Sequence, residues 1–256
     1  MPKLKVGVFA DNLGLGVHEG IAKAAELGAD GIQLYTTHED MLPERLDAPA
    51  RRDLRAEIAD HGLVLSATCS DFGHGLIDEA GNETLIPRIE ANIDLAVDLG
   101  VSIITTHIGV VPGERSDPVW SVLVRALNRI GVFAEERSVV LATETGPEPG
   151  HVLRGLLESL ETGGIRVNFD PANLVMLGFD HLAALDELHP YIVHTHAKDG
   201  LPGGPEVPLG EGDVGFPGYV AKLRDYGYEG YYIIEREAGD DPVADVQEGL
   251  QFLRTL

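Results

Sequence analysis

The sequence predicts a single-domain α/β protein, a (β/α)8 TIM barrel filling residues 1–256, on three observations. Eight short β-branched or aromatic runs alternate with eight helical stretches, with nothing left over. Alternation of strand and helix implies parallel strands with right-handed crossovers, and eight such units favour a closed barrel over an open doubly wound sheet. Four of the helices also stop in the same way, at Leu27–Gly28, His61–Gly62, Leu99–Gly100 and Tyr226–Gly227, where a glycine fits the left-handed closing position. No linker, low-complexity segment or shift in composition divides the chain.

Taken in order, residues 4–9 form the first strand, followed by a glycine-punctuated turn and a helix over 17–27. That turn, Gly14-Leu-Gly16, superficially resembles a dinucleotide fingerprint. Its third glycine position is Glu19, however, and the next strand offers Gln33 where a ribose-binding acid belongs, so it reads as a plain turn. The second strand, GIQLY at 31–35, precedes a helix over 49–61. The third, 63–68, precedes a long amphipathic helix over 83–99. Strands at 101–107 and 139–143 are followed by helices at 118–136 and 151–161. The last three strands are 165–169, 191–195 after Pro190, and 231–234; their helices fall at 181–188, 217–226 and 242–256.

Composition bounds the function. An apolar fraction of 44% suits a chain with a sizeable core, and 42 acids against 19 bases leave a net charge of −23. Such a surface disfavours nucleic acid and anionic membranes as partners and fits either a high-salt or an acid-biased proteome. Cys69 is the only cysteine, so there is no internal disulfide framework. The start, MPKLKVGVFADN, holds no apolar run of signal-peptide length, and no later segment approaches a membrane span. The expectation is a soluble cytoplasmic protein.

Barrels of this kind carry their chemistry at the carboxyl ends of the strands. The fifth strand ends in ATETGPE with Glu144, and the sixth in VNFDPAN with Asp170 and Asn173. The seventh ends in VHTHAKD, where His194, His196 and Lys198 share one face, and the eighth in IIERE with Glu235. Each acid alone reads equally as a solvated loop residue, and Asp170 as the cap of a turn before Pro171. Together, Glu144, Asp170, His196 and Glu235 face one pocket, where like carboxylates cannot all ionise without a cation. Three carboxylates and one imidazole suit one divalent ion, Mn²⁺, Mg²⁺ or Co²⁺ ahead of Fe²⁺ or Zn²⁺, with positions left open for a bidentate ligand such as a hydroxy-ketone.

The motifs ETGPE, NFDPANL, VHTHAKD and IERE, in that order at strand ends, resemble the xylose-isomerase-like barrel superfamily of sugar isomerases and epimerases. The eight-fold organisation extends the likeness over nearly the whole chain, and it is specific from Glu144 onward. The resemblance implies metal ligation by Glu144, Asp170, His196 and Glu235, with His194 a supporting or packing residue. It also implies substrate contacts from His107, Glu148, Asn173, Lys198 and Asp199, and a glycine-rich loop over 210–216. Asn173 stands where the ketose 3-epimerases often carry His, which bears on substrate identity.

The function so implied is metal-dependent isomerisation or epimerisation of a ketose or sugar phosphate through a metal-stabilised enediolate, with Glu144 and Glu235 as acid and base. Its nearest rival is a lyase of the inosose-dehydratase or keto-glycoside-eliminating kind. An apurinic-endonuclease-like reading is disfavoured by the charge and by a loop after the seventh strand without histidine. A metal- or sugar-binding module without turnover is the remaining class. A small sugar or polyol is the expected partner, with a homo-oligomer suggested by analogy alone. Trp120 reads as a packing residue; Asp11, Asn12, Ser70, Asp71, Phe72 and His74 read as loop residues near the pocket. Arg166 and Arg236 are too few to establish a phosphate site.

Overall fold

The computed structural model describes residues 3–256, without the side chain of Glu39; the first two residues of the expected span lie outside the described residues. In chain order the elements are β1 (Lys5–Phe9), α1 (Val17–Glu26), β2 (Gly31–Tyr35), α2 (Ala48–Asp60), β3 (Val64–Cys69), α3 (Glu79–Leu99) and β4 (Ile103–Thr106). Next come α4 (Pro118–Glu135), β5 (Val140–Glu144), α5 (Gly150–Leu157), β6 (Ile165–Phe169), α6 (Pro171–Met176) and α7 (His181–Leu188). The chain closes with β7 (Ile192–Ala197), β8 (Asp199–Gly200), β9 (Glu206–Val207), α8 (Phe216–Asp225), β10 (Tyr231–Ile234) and α9 (Pro242–Leu253).

Eight of the strands close a barrel in the order β1-β10-β7-β6-β5-β4-β3-β2. Every neighbouring pair is parallel, and β1 pairs with both β2 and β10, so the sheet has no free edge. Gly28, Gly62, Gly100 and Gly227 all take positive φ just past their helices, as their positions in the sequence require. The boundaries shift by a few residues where a cap was hidden. Helix α3 starts at Glu79, four residues ahead of expectation, because Asp78 accepts from the amides of Ala80 and Gly81. Six aspartates, Asp47, Asp78, Asp117, Asp170, Asp180 and Asp241, cap helix starts in this way. Part of the acid surplus is therefore structural, each cap contributing about 1 kcal/mol.

Besides three short 3-10 turns (Ala10–Leu13, Glu39–Met41 and His189–Tyr191), strand-helix alternation is broken by the six-residue α6 and the antiparallel ribbon of β8 with β9. All are too short to show a hydrophobic period. The main apolar core lies between the strands and the helices. In α4, for example, Trp120, Leu123, Leu127, Ile130 and Ala134 form the buried stripe, with the Arg115 guanidinium 5.4 Å from the Trp120 ring centre. Phe9, Cys69 and Ile233 make a separate small apolar cluster. Among the described residues no helix is long and apolar enough to cross a membrane.

Candidate metal centre

Strands β5, β6, β7 and β10 are consecutive around the barrel, so their carboxyl ends converge. Glu144 is the last residue of β5, Asp170 follows β6, His196 lies near the end of β7, and Glu235 follows β10. All four are buried, and one ligand-type atom from each lies within 4.8 Å of the others. The His196 ring points Nδ1 into this group, 3.4 Å from Glu144 Oε2, 3.3 Å from Glu235 Oε2 and 3.8 Å from Asp170 Oδ2.

The two oxygens of the Asp170 carboxylate are placed differently. Oδ1 accepts from the amides of Ala172 and Asn173 and so caps α6. Oδ2 is sealed from solvent and has no hydrogen-bond partner among the described residues. A buried carboxylate oxygen left bare costs several kcal/mol, and a cation removes that cost. The donor set therefore fits a hard divalent ion, with carboxylate oxygens and one imidazole nitrogen. Its electrostatics point the same way. Burial works against charge on His196, yet Glu235 and Glu144 hold its pKa well above the ordinary value. Burial likewise works against ionised Glu144 and Glu235, and His196 helps to hold both below the usual carboxylate range. The three carboxylates demand a positive charge at their centre.

Around the tetrad, Asn173 Nδ2 donates to Glu144 Oε1 at 2.8 Å and Asn168 Nδ2 to Glu144 Oε2 at 2.9 Å, so both glutamate oxygens are oriented. His107 stands with Nε2 3.5 Å from Glu144 Oε1, its Nδ1 held 2.6 Å from Asp71 Oδ2. The nearby Glu144 charge, opposed by burial and aided by Asp71, lifts the His107 pKa to about 9. Lys198 donates to Glu235 Oε2 at 3.0 Å and also pairs with Glu237. Glu148 is buried one loop away; its Oε2 accepts from the Val111 amide at 3.4 Å, and burial pushes its pKa up to about 7.

Asp199 is placed differently. Its carboxylate accepts from the amides of Gly200, Gly210 and Val214, so it ties down the glycine-rich loop instead of facing the tetrad. A Cβ on Gly212 would overlap that carboxylate, which explains the glycine there. Asp11 is likewise committed to the backbone, accepting from the Tyr35 amide. Ser70 accepts from Asn92, and Phe72 lies under the Arg88 guanidinium. Arg236 is paired with Glu206 and Asp245.

Two contributors were not singled out from the sequence as site residues. Asn168 sits two residues before Asp170, facing Glu144 and the His196 ring. Gln33, in the middle of β2, places Oε1 2.7 Å from His194 Nε2 and 3.2 Å from His196 Nε2. A polar residue inside the apolar run GIQLY was the available signal, since a buried amide must find partners.

Comparison with known proteins agrees with this architecture. A crystal structure of a xylose isomerase domain protein from Planctomyces limnophilus superposes with a TM-score of 0.87 at 28% identity, covering 99% of this chain and 97% of the other. An L-ribulose-5-phosphate 3-epimerase of Salmonella paratyphi C is 26% identical over 250 residues, 92% of this chain and 88% of that protein. An inosose dehydratase of Geobacillus thermodenitrificans is 26% identical over 140 residues, 46% of this chain and 47% of that protein. The family model for xylose isomerase-like TIM barrels matches residues 21–256. With that match, over a closed barrel of eight parallel strands, the chain belongs to the xylose isomerase-like TIM barrel family.

Proposed function

We propose that this protein is a divalent-metal-dependent isomerase or epimerase of a ketose, with Glu144, Asp170, His196 and Glu235 holding Mn²⁺, Mg²⁺ or Co²⁺. The observation that carries the reading is Asp170 Oδ2, a buried carboxylate oxygen without a partner among the described residues, facing two more carboxylates and an imidazole. When bound, such an ion supplies Lewis-acid polarisation of a carbonyl and offsets charge developing on oxygen.

The chain's own groups then manage the proton. Glu144 and Glu235 approach His196 Nδ1 at 3.4 and 3.3 Å from strands three places apart in the barrel. One carboxylate takes the proton from the hydroxyl-bearing carbon next to the ketone, leaving an enediolate, and the other, entering the cycle in its protonated form, gives up its own proton. Delivery to the same carbon from the opposite face inverts it; delivery to the neighbouring carbon, with the hydroxyl proton passed to the former ketone oxygen, interconverts ketose and aldose. Asn173 and Asn168 orient Glu144, Lys198 orients Glu235, and His107 offers an N–H to a substrate oxygen. The epimerase relative, matched over 92% of this chain, supports the same class.

One observation favours a second reading. His107, braced by Asp71 and facing Glu144 across 3.5 Å, is placed to protonate a departing hydroxyl, which would make the reaction an elimination.

The test combines metal content with deuterium incorporation into a panel of ketoses in heavy water. About one ion per chain is expected in the wild type and none in Asp170→Ala. Glu235→Gln should slow exchange by at least ~10²-fold. A wild type without bound ion, or undiminished exchange in Glu235→Gln, would overturn the proposal. A product absorbing as an unsaturated ketone would select the elimination.

A further inference from the structure

We infer that Gln33 is a positioning residue that keeps the proton of His196 on Nε2, leaving the Nδ1 lone pair for the cation. The inference rests on the metal-binding reading above and concerns a residue on the far side of the barrel from the ligand strands.

An imidazole binds a cation through one ring nitrogen only if its proton is on the other, and a buried N–H needs an acceptor. His196 directs Nδ1 at the three carboxylates, so the proton belongs on Nε2. Two polar side-chain atoms lie within hydrogen-bonding distance of that nitrogen among the described residues. Asn168 Nδ2, at 3.3 Å, is a donor that cannot accept an N–H; it is nearly equidistant from the two ring nitrogens and gives one of its two N–H groups to Glu144. Gln33 Oε1, at 3.2 Å, is the acceptor.

The amide is itself held in this orientation. Its Nε2 donates to Thr105 Oγ1 on β4 at 3.0 Å, which turns Oε1 toward β7. The same oxygen lies 2.7 Å from His194 Nε2, so its second lone pair is taken as well. Gln33 is fully buried, so no solvent molecule replaces its oxygen by simple exchange. The chain Thr105–Gln33–His196 thus runs from one wall of the barrel to the candidate ligand on another.

The experiment compares Mn²⁺ affinity, read from the free-ion electron paramagnetic resonance signal, for the wild type, Gln33→Met and Gln33→Glu. Methionine keeps the length and removes the acceptor; glutamate keeps an acceptor oxygen. Gln33→Met is expected to weaken Mn²⁺ binding by about 10- to 100-fold, and Gln33→Glu to recover most of the loss. Gln33→Met binding within about threefold of wild type, with its circular dichroism unchanged, would overturn the inference. Wild type that binds no Mn²⁺ would instead overturn the metal reading itself, which separates the two failures. Should Gln33→Met not fold, the histidine ¹⁵N spectrum of Mg²⁺-loaded wild type decides. A proton on His196 Nε2 is expected, and a proton on Nδ1 with Nε2 bare would refute the assignment.

Discussion

Glu148 should make the stability of this protein depend on pH in an unusual direction. The residue is 5% exposed, and its carboxyl accepts from the Val111 amide at the long distance of 3.4 Å. Burial raises its pKa from 4.5 to about 7, and the Val111 amide offsets only part of that. The folded chain therefore binds this proton more tightly than the unfolded chain. Ionisation costs stability, beginning near pH 4.5 and reaching its full extent above about pH 7. At ~1.4 kcal/mol per pH step, that rise sets the full cost at ~3 kcal/mol. Glu148→Gln keeps the shape and an acceptor for Val111 but cannot ionise. Urea unfolding of both proteins, with chelator present so that no nearby cation offsets the charge, should give similar stabilities near pH 4. The variant should gain steadily from pH 5 to 8, ending up to ~3 kcal/mol ahead. A difference that stays flat across that range would show that Glu148 ionises as freely as an exposed carboxylate, and the argument from burial would fail.

Two further outcomes follow from the surrounding groups. Asp199→Ala strips an acceptor from the amides of Gly200, Gly210 and Val214; unfolding in urea should show a loss of ~3 kcal/mol or more, with proteolysis first appearing in the 208–216 loop. The site-facing cation Lys198 is already shared by Glu235 and Glu237, and the nearby Arg236 by Glu206 and Asp245. With a net charge of −23 besides, an uncharged ketose should show a higher kcat/KM than its phosphate ester, and the reverse order in a direct competition would refute this reading of the charges.

What the sequence disclosed about the site, and what it withheld, follows from how a barrel is wired. Strands β5, β6, β7 and β10 are neighbours in the ring in the same order as they are in the chain. Reading successive strand ends therefore brings Glu144, Asp170, His196 and Glu235 together without any knowledge of the fold's interior. The alternation of apolar runs and helices was legible for a similar reason, because strands buried on both faces leave continuous apolar runs. Asp199 could have been separated from Lys198 by strand parity alone, since adjacent residues face opposite sides. Asp170 posed a choice between cap and ligand that spacing cannot resolve, because a carboxylate has two oxygens and the structure shows one capping and one bare. Gln33 stood out as a polar residue in an apolar run, but its partners were out of reach for a different reason. Its partners, His194 and Thr105, lie 161 and 72 residues away on strands that are not its neighbours in the ring. Contacts across the barrel interior follow from shear and side-chain length, not from chain order, so the groups that hold the candidate ligands in place are the ones a linear reading passes over.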